Sequence, residues 1–392
     1  MLDRAMSERV HTPAVKSRLP DVGTTIFTVM SELATEHGAV NLGQGFPDFD
    51  CDPRLLDAVD AAMRAGLNQY PPMPGVPALR EAVGAKLASM YGYRYDADTE
   101  ITITAGATQA IFTVILAVVH PGDEVIVLDP CFDSYAPNIE LAGGKAVHVP
   151  LTPGSFEPDF ELTGAAITAR TRAIVINTPH NPTATVWSAA HMAQLAQLLR
   201  NTEILVVADE VYEHVVFDGV AHQSVARYAE LVQRSFVVSS FGKTHHVTGW
   251  KVGYVAAPAR LTAESRKVHQ FNVFCVNTPM QHALARYMTG SQHHLGLAAF
   301  YQRKRDLFAD GLAATRLRPL AARGSYFQCV DYADVSDLPE ADFCRWLTTE
   351  IGVAAIPLSA FYRCGLEQRI VRFCFAKKDE TLRLALDRLR AL

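Results

Sequence analysis

The sequence predicts an α/β protein: a large domain on a mostly parallel seven-stranded sheet, joined to a smaller α+β domain. Three observations carry this. Over residues 100–255, short runs rich in Val and Ile alternate with helical patterns, which is how a sheet covered on both faces reads. Beyond about residue 290 the order becomes helix, strand, helix, strand, strand, helix, as in a smaller α+β unit. The 392 residues exceed the length at which one hydrophobic core stops growing.

The elements follow in chain order. The segment before Asn41 is partly helical, and termini commonly pack together, so residues 1–47 are grouped with 291–392 as the small domain and 48–290 form the large one. Apolar runs place strands at 101–104, 125–128, 146–149, 173–176, 204–208, 236–239 and 252–256. A helix over 107–119 follows the first strand. The apolar stretch 110–119 within it is interrupted by Thr113 and is about half the ~20 residues a bilayer needs, so it reads as a buried helix. Ser188 is placed to cap a helix that carries Met192, Leu195 and Leu198 at helical spacing. In the C-terminal region strands are expected at 326–330, 353–356 and 370–375, and no internal repeat or low-complexity tract interrupts the chain.

Composition narrows the function classes. Hydrophobic residues make up 49% and charged residues 20%, values of folded globular chains. The formal net charge is −5 and no dense run of Lys and Arg occurs, so the footprint of a nucleic-acid binder is missing and a small-molecule partner is expected. The first twenty residues have no apolar signal core and carry Asp3 and Glu8, which points to the cytoplasm. Seven cysteines, Cys51, Cys131, Cys275, Cys329, Cys344, Cys364 and Cys374, are scattered without paired spacing; neither a disulfide framework nor a zinc site is expected.

Four features fall at ends of the predicted strands, the edge of an open α/β sheet where ligands bind. Ala105-Gly106-Ala107-Thr108 sits between the first strand and a helix, where free N–H groups can hold a phosphate, although small residues open many helices for packing alone. Asn177-Thr178-Pro179-His180-Asn181-Pro182 is a turn that presents Asn181, or an ordinary Asx turn. Asp209-Glu210-Val211-Tyr212 closes an apolar strand, where an acid needs a cation unless it caps a helix. Ser239-Ser240-Phe241-Gly242-Lys243-Thr244 is followed by Gly249-Trp250-Lys251-Val252-Gly253-Tyr254.

In this order and at these strand ends, the set resembles the fold-type I, aspartate-aminotransferase-like family of pyridoxal 5′-phosphate enzymes. The similarity runs from Asn41-Leu42-Gly43-Gln44-Gly45-Phe46-Pro47 to Arg372. Within that family the wording is nearest to the bacterial methionine aminotransferase group and to the kynurenine aminotransferase and glutamine transaminase K group.

The resemblance implies roles residue by residue. Lys243 is the amine that binds the cofactor's aldehyde and then moves the substrate α-proton, and Asp209 keeps the cofactor's ring nitrogen protonated. Tyr212 and Asn181 bond the ring's 3′ oxygen, while Phe132 in Cys131-Phe132-Asp133-Ser134-Tyr135 stacks on the ring. Gly106, Ala107, Thr108, Ser240 and Lys251 hold the phosphate. Many relatives carry Arg where Lys251 stands, so a point charge replaces a bidentate fork here. Tyr70 resembles the tyrosine that reaches a neighbouring subunit's phosphate, and Phe274 a substrate-binding aromatic that also crosses that interface, which implies a homodimer. Arg372, inside an apolar strand, implies a buried partner, the substrate α-carboxylate, with Asn181 and the Gly45 N–H completing the clamp.

The expected activity is a ping-pong transfer of the amino group of an L-amino acid, methionine or an aromatic one, to a 2-oxo acid. The alternative is a kynurenine or glutamine transaminase with β-lyase activity toward cysteine conjugates. A regulator that binds the cofactor without catalysis is the remaining reading, but it usually adds a DNA-binding domain, for which the stretch before Asn41 leaves no room. The pairs His245-His246 and His293-His294 lack metal-binding spacing and are expected on the surface or in a pocket wall.

Overall fold

The structure, a computed structural model, describes residues 14–291 and 293–392; Asp3, Glu8 and the rest of the first thirteen residues lie outside it. Seven strands form the large sheet: β1 Ile101–Thr104, β2 Glu124–Asp129, β3 Lys145–Pro150, β4 Thr171–Asn177, β5 Leu205–Asp209, β6 Ser235–Ser240 and β7 Gly253–Ala256. Their order is β1-β7-β6-β5-β4-β2-β3, parallel throughout except that β7 runs antiparallel to both neighbours.

Side chains on a strand alternate between faces, and here both faces are dry. Ile126, Ile174, Val206 and Val237 enter one apolar cluster, while Val125, Val127, Val175, Val207 and Phe236 enter a second on the opposite face. Each such fully buried side chain contributes roughly 1.5–3 kcal/mol of transfer free energy. The helix Gly106–Val118 covers that second face through Ile111, Val114 and Ile115. Ser188 caps the helix Ala189–Leu199 as expected, accepting from the His191 N–H while His191 returns the bond.

Four further strands, β8 Arg318–Pro319, β9 Phe327–Asp331, β10 Ile356–Pro357 and β11 Ile370–Cys374, make an antiparallel sheet in the order β10-β11-β9-β8. The single strand expected at 353–356 is divided. Val353–Ala354 pairs in parallel with Val40–Asn41, whereas Ile356 pairs with Arg372, so the chain bends at Ala355 to serve two sheets. The N-terminal segment is thereby stitched to the C-terminal one, and the Cys374 N–H also donates to the Leu42 carbonyl at 2.7 Å. We propose the division into 48–290 and 1–47 plus 291–392 on this pairing; the larger apolar cluster runs across it without a break. Among the described residues no helix is long and apolar enough to cross a membrane.

Candidate active site

The carboxyl ends of β4, β5 and β6 carry Asn177, Asp209 and Ser240, and the turn after β1 carries Gly106. They open on one cavity of about 360 Å³, in the size range of small-molecule sites. Gly45, Gly106, Ala107, Thr108, Phe132, Asn181, Asp209, Tyr212, Ser240, Lys243, Lys251 and Arg372, all singled out from the sequence, line it. Phe27, Ile111, Val211 and Phe327 give it apolar walls.

At one end three segments converge because glycine lets them. Gly106 has φ +78°, and a Cβ there would lie 3.5 Å from Lys251 Nζ. A Cβ on Gly253 would meet the Ser239 carbonyl at 2.7 Å and Gly106 at 3.0 Å. The first turn of the helix Gly106–Val118 therefore points its unpaired N–H groups, together with the Lys251 ammonium and the Ser240 hydroxyl, into the same corner. Ser240 Oγ also accepts the Gly242 N–H at 3.2 Å, which leaves its proton free to donate. The corner suits a dianionic group.

In the middle stand Asp209, buried, and Lys243, half-buried. Asp209 accepts from Tyr135 Oη at 2.6 Å and, more weakly, from the Val211 N–H at 3.3 Å, and among the described residues no cation is bonded to it. Burial pushes its carboxyl up to about 6, partly offset by the Tyr135 hydrogen bond. Burial also brings the Lys243 amine down to about 8. Lys243 Nζ donates to the Tyr326 hydroxyl at 2.7 Å and to the Gly45 carbonyl at 3.0 Å. Its amine lies 5.6 Å from the Tyr212 ring, whose hydroxyl burial raises above the ordinary range.

At the far end Arg372 is 1% exposed. It donates to Asn181 Oδ1 at 2.7 Å and to the Gly43 carbonyl at 2.9 Å, and among the described residues its Nε makes no hydrogen bond and no carboxylate pairs with it. Phe327 lies 4.0 Å beneath the guanidinium, with Phe361 and Phe27 at 5.0 and 5.3 Å. A buried cation held on three aromatic faces with an unspent donor is arranged to receive an anion.

Tyr70 and Phe274 do not reach this cavity. Tyr70 is 83% exposed and meets Phe274 edge-on at 5.4 Å, and Phe271 nearby is 87% exposed. Of the histidine pairs, His245 and His294 line a small cavity beside the Lys243 turn, the pocket-wall position expected. His245 is buried, and His246 and His293 pack with it against Phe49, Tyr287, Phe300 and Tyr301 behind the Lys243 turn, while His294 meets His214 at 5.0 Å. Tyr135 and Tyr326 bond the two central charges, yet sequence reasoning gave neither a role; a buried tyrosine's polar partner is set by the fold. All seven cysteines are free. Among the described residues Asp129, Cys131 and His148 bring three donor atoms together, but Asp129 is already engaged by His148 Nδ1 at 2.8 Å and the Arg363 N–H at 3.0 Å.

Comparison with known proteins agrees with this geometry. A family model described as aminotransferase class I and II matches residues 37–389. Methionine aminotransferase of Escherichia coli is 51% identical, with 96% of this chain and 98% of that protein covered. Human kynurenine–oxoglutarate transaminase 1 is 34% identical over 95% of this chain and 97% of its own. The crystal structure of Escherichia coli YbdL, for which a methionine aminotransferase function was identified, superposes with a TM-score of 0.96 at 50% identity, covering 97% of this chain and all of that one.

Proposed function

The chain belongs to the class I and II aminotransferases, and on that footing we propose that it holds pyridoxal 5′-phosphate on Lys243 and takes its amino group from methionine or an aromatic L-amino acid. It is an aminotransferase. The carrying observation is that Asp209, buried without a cation, and Lys243, with its amine brought down to about 8, face one cavity that ends in an Arg372 with a free Nε.

The donor set fits that cofactor. The corner of Gly106, Ala107, Thr108, Ser240 and Lys251 matches a phosphate, the Asp209 carboxylate matches a protonated ring nitrogen, and Phe132 and Val211 offer apolar faces to a ring. When bound, the cofactor supplies an aldehyde for amine exchange and a ring that draws electrons from the substrate Cα–H bond. Asp209 holds the proton on the ring nitrogen, where burial strengthens its charge. Tyr212 and Asn181 bond the 3′ oxygen. Lys243 takes the Cα proton as a neutral amine and returns it, a role its lowered pKa supports near neutral pH. Arg372, with Asn181 and the Gly45 N–H, grips the α-carboxylate and turns the side chain toward Phe27, Ile111 and Phe327.

That apolar wall and the 51% identity favour methionine or an aromatic donor over an acidic one. The likeness to kynurenine–oxoglutarate transaminase keeps kynurenine and glutamine as the second reading. We also propose a homodimer, because Tyr70, Phe271 and Phe274 expose aromatic surface that a partner subunit would cover.

The test is a panel of L-amino acids, each added to cofactor-loaded protein without acceptor while visible absorbance is followed, then 2-oxo acids in turn. Methionine or aromatic donors should bleach the band fastest, and the acceptor should restore it. Lys243→Ala should do neither. Protein that takes up no pyridoxal phosphate overturns the reading; fastest bleaching by kynurenine or glutamine transfers it to the second donor class. Pyruvate released from a cysteine conjugate without acceptor would mark elimination.

A further inference from the structure

Three groups around Lys243 form a closed triangle whose protons can be counted. Lys243 Nζ donates to the Gly45 carbonyl at 3.0 Å and to the Tyr326 hydroxyl at 2.7 Å. Tyr326 spends its own proton on the same carbonyl, 2.5 Å away. The carbonyl oxygen has two lone pairs and accepts both bonds, so the tyrosine oxygen meets the amine as an acceptor. Burial lifts the Tyr326 hydroxyl well above its usual range, so it keeps that proton.

The amine nitrogen is tetrahedral. Its two acceptors lie together on one side of it, 2.5 Å apart, on a side chain that lines the cavity. Both hold N–H groups, so the lone pair of the neutral amine is kept off that side. A proton therefore enters and leaves Lys243 away from Tyr326 and the Gly45 carbonyl.

Tyr326 can hold this geometry because it cannot move. It is fully buried, with Tyr212 and Phe327 each at 5.0 Å and Tyr301 at 5.7 Å. The turn before it is pinned: Ser325 has φ +58° and donates its N–H to the Val215 carbonyl at 2.8 Å, and a Cβ on Gly324 would lie 2.5 Å from Val186. Gly45 is fixed in turn by the Phe327 ring, 3.1 Å from where its Cβ would be.

We propose that Tyr326 is a positioning residue that aims the Lys243 amine at the proton it transfers whenever that nitrogen is not bonded to the cofactor. The inference rests on the reading of Lys243 as anchor and base. Tyr326 does not line the cavity and acts through its bond to Lys243 Nζ.

The test compares wild type with Tyr326→Phe. In the full chain stripped of cofactor, Lys243 is labelled with acetic anhydride across pH and the modified peptide is quantified by mass spectrometry. An accepted hydrogen bond favours the ammonium, so its loss should lower the labelling midpoint by about one pH unit. In the cofactor-loaded protein the same variant should lower kcat about tenfold, leave KM for the amino acid within about twofold, and raise the isotope effect of Cα-deuterated donor. Tyr301→Phe is the packing control: its ring touches Tyr326 and its hydroxyl has no partner, so midpoint and kcat should stay at wild-type values. Should Tyr326→Phe fold poorly, 3-fluorotyrosine at the same position keeps the shape, weakens the acceptor and should move the midpoint in the same direction. An unmoved midpoint with an unmoved isotope effect overturns the proposal. Failure of wild type to take up pyridoxal phosphate would instead sink the reading of Lys243, since the labelling midpoint is measured without it.

Discussion

Single side chains at this site are specified by what burial makes costly. Asp209 and Lys243 are moved by burial in opposite directions, and each is closer to neutral than it would be in water. A protonated ring nitrogen beside Asp209 would restore its charge. Asp209→Ala removes that support while Tyr135 keeps its ring in place, and kcat should fall about a thousandfold or more, measured with the best donor. Arg372 carries a different prediction because its free Nε is directional. Arg372→Ala should raise KM for the amino acid about a hundredfold, and Arg372→Lys should recover little of that, since an ammonium cannot reproduce two parallel N–H bonds. Thermal melting of both variants separates this from unfolding, because each leaves Asn181 Oδ1 and the Gly43 carbonyl without the Arg372 donors. A KM unchanged in Arg372→Ala would place the carboxylate elsewhere.

At the scale of elements, the phosphate corner depends on how closely β7 passes the turn after β1. Gly253→Ala pushes a methyl into the Ser239 carbonyl and Gly106, so cofactor affinity should drop about tenfold or more, with stability lowered by roughly 1–3 kcal/mol. Gly249→Ala meets nothing within 4 Å and should bind the cofactor as wild type does; a Gly253→Ala that binds as tightly as Gly249→Ala in equilibrium titration would refute the close-approach argument. The strand cores were legible because buried parallel strands are continuous apolar runs. Their ends were not: Asp129, Asn177 and Asp209 extend the strands with polar residues that hydrophobicity discounts, and those ends carry the chemistry. The run 353–356 reads as one strand, since nothing in Val-Ala-Ala-Ile marks a bend that exists only because two sheets claim its halves. Tyr135 and Tyr326 stayed hidden for a related reason. Their partners lie 74 and 83 residues away, and a single sequence does not state long-range hydrogen bonds. Of the histidine pairs, His245 and His294 line a cavity as expected, but the aromatic neighbours that each ring finds come from distant elements that the sequence does not state.

For the whole molecule, those histidines set how the fold meets acid. Burial brings His180 and His214 down to about 3, His246 and His269 to about 4, and His245 well below its ordinary range. The groups packed around them include Glu213, Lys86, His293, His294 and Lys304. A histidine that stays neutral when folded but titrates near 6.5 when unfolded gives the unfolded chain the extra proton, so stability falls as pH drops. The contribution is complete above about pH 6.5 and is lost progressively down to the folded values near 3 to 4. Asp209, raised to about 6, has the opposite sign, as do Asp133 and Glu340, also raised by burial, but they are three carboxyls against eight histidines that burial lowers. The Glu213–Lys86 pair holds Glu213 well below its ordinary 4.5, so it adds to the loss only under that pH and leaves the interval from 6.5 to 4.5 to the histidines. The melting temperature should therefore decline steadily between pH 7 and 5. His246→Phe, an apolar ring placed among Phe49, Phe300 and Tyr301, should flatten that decline, and a slope identical to wild type would show that His246 already carries its proton in the folded protein.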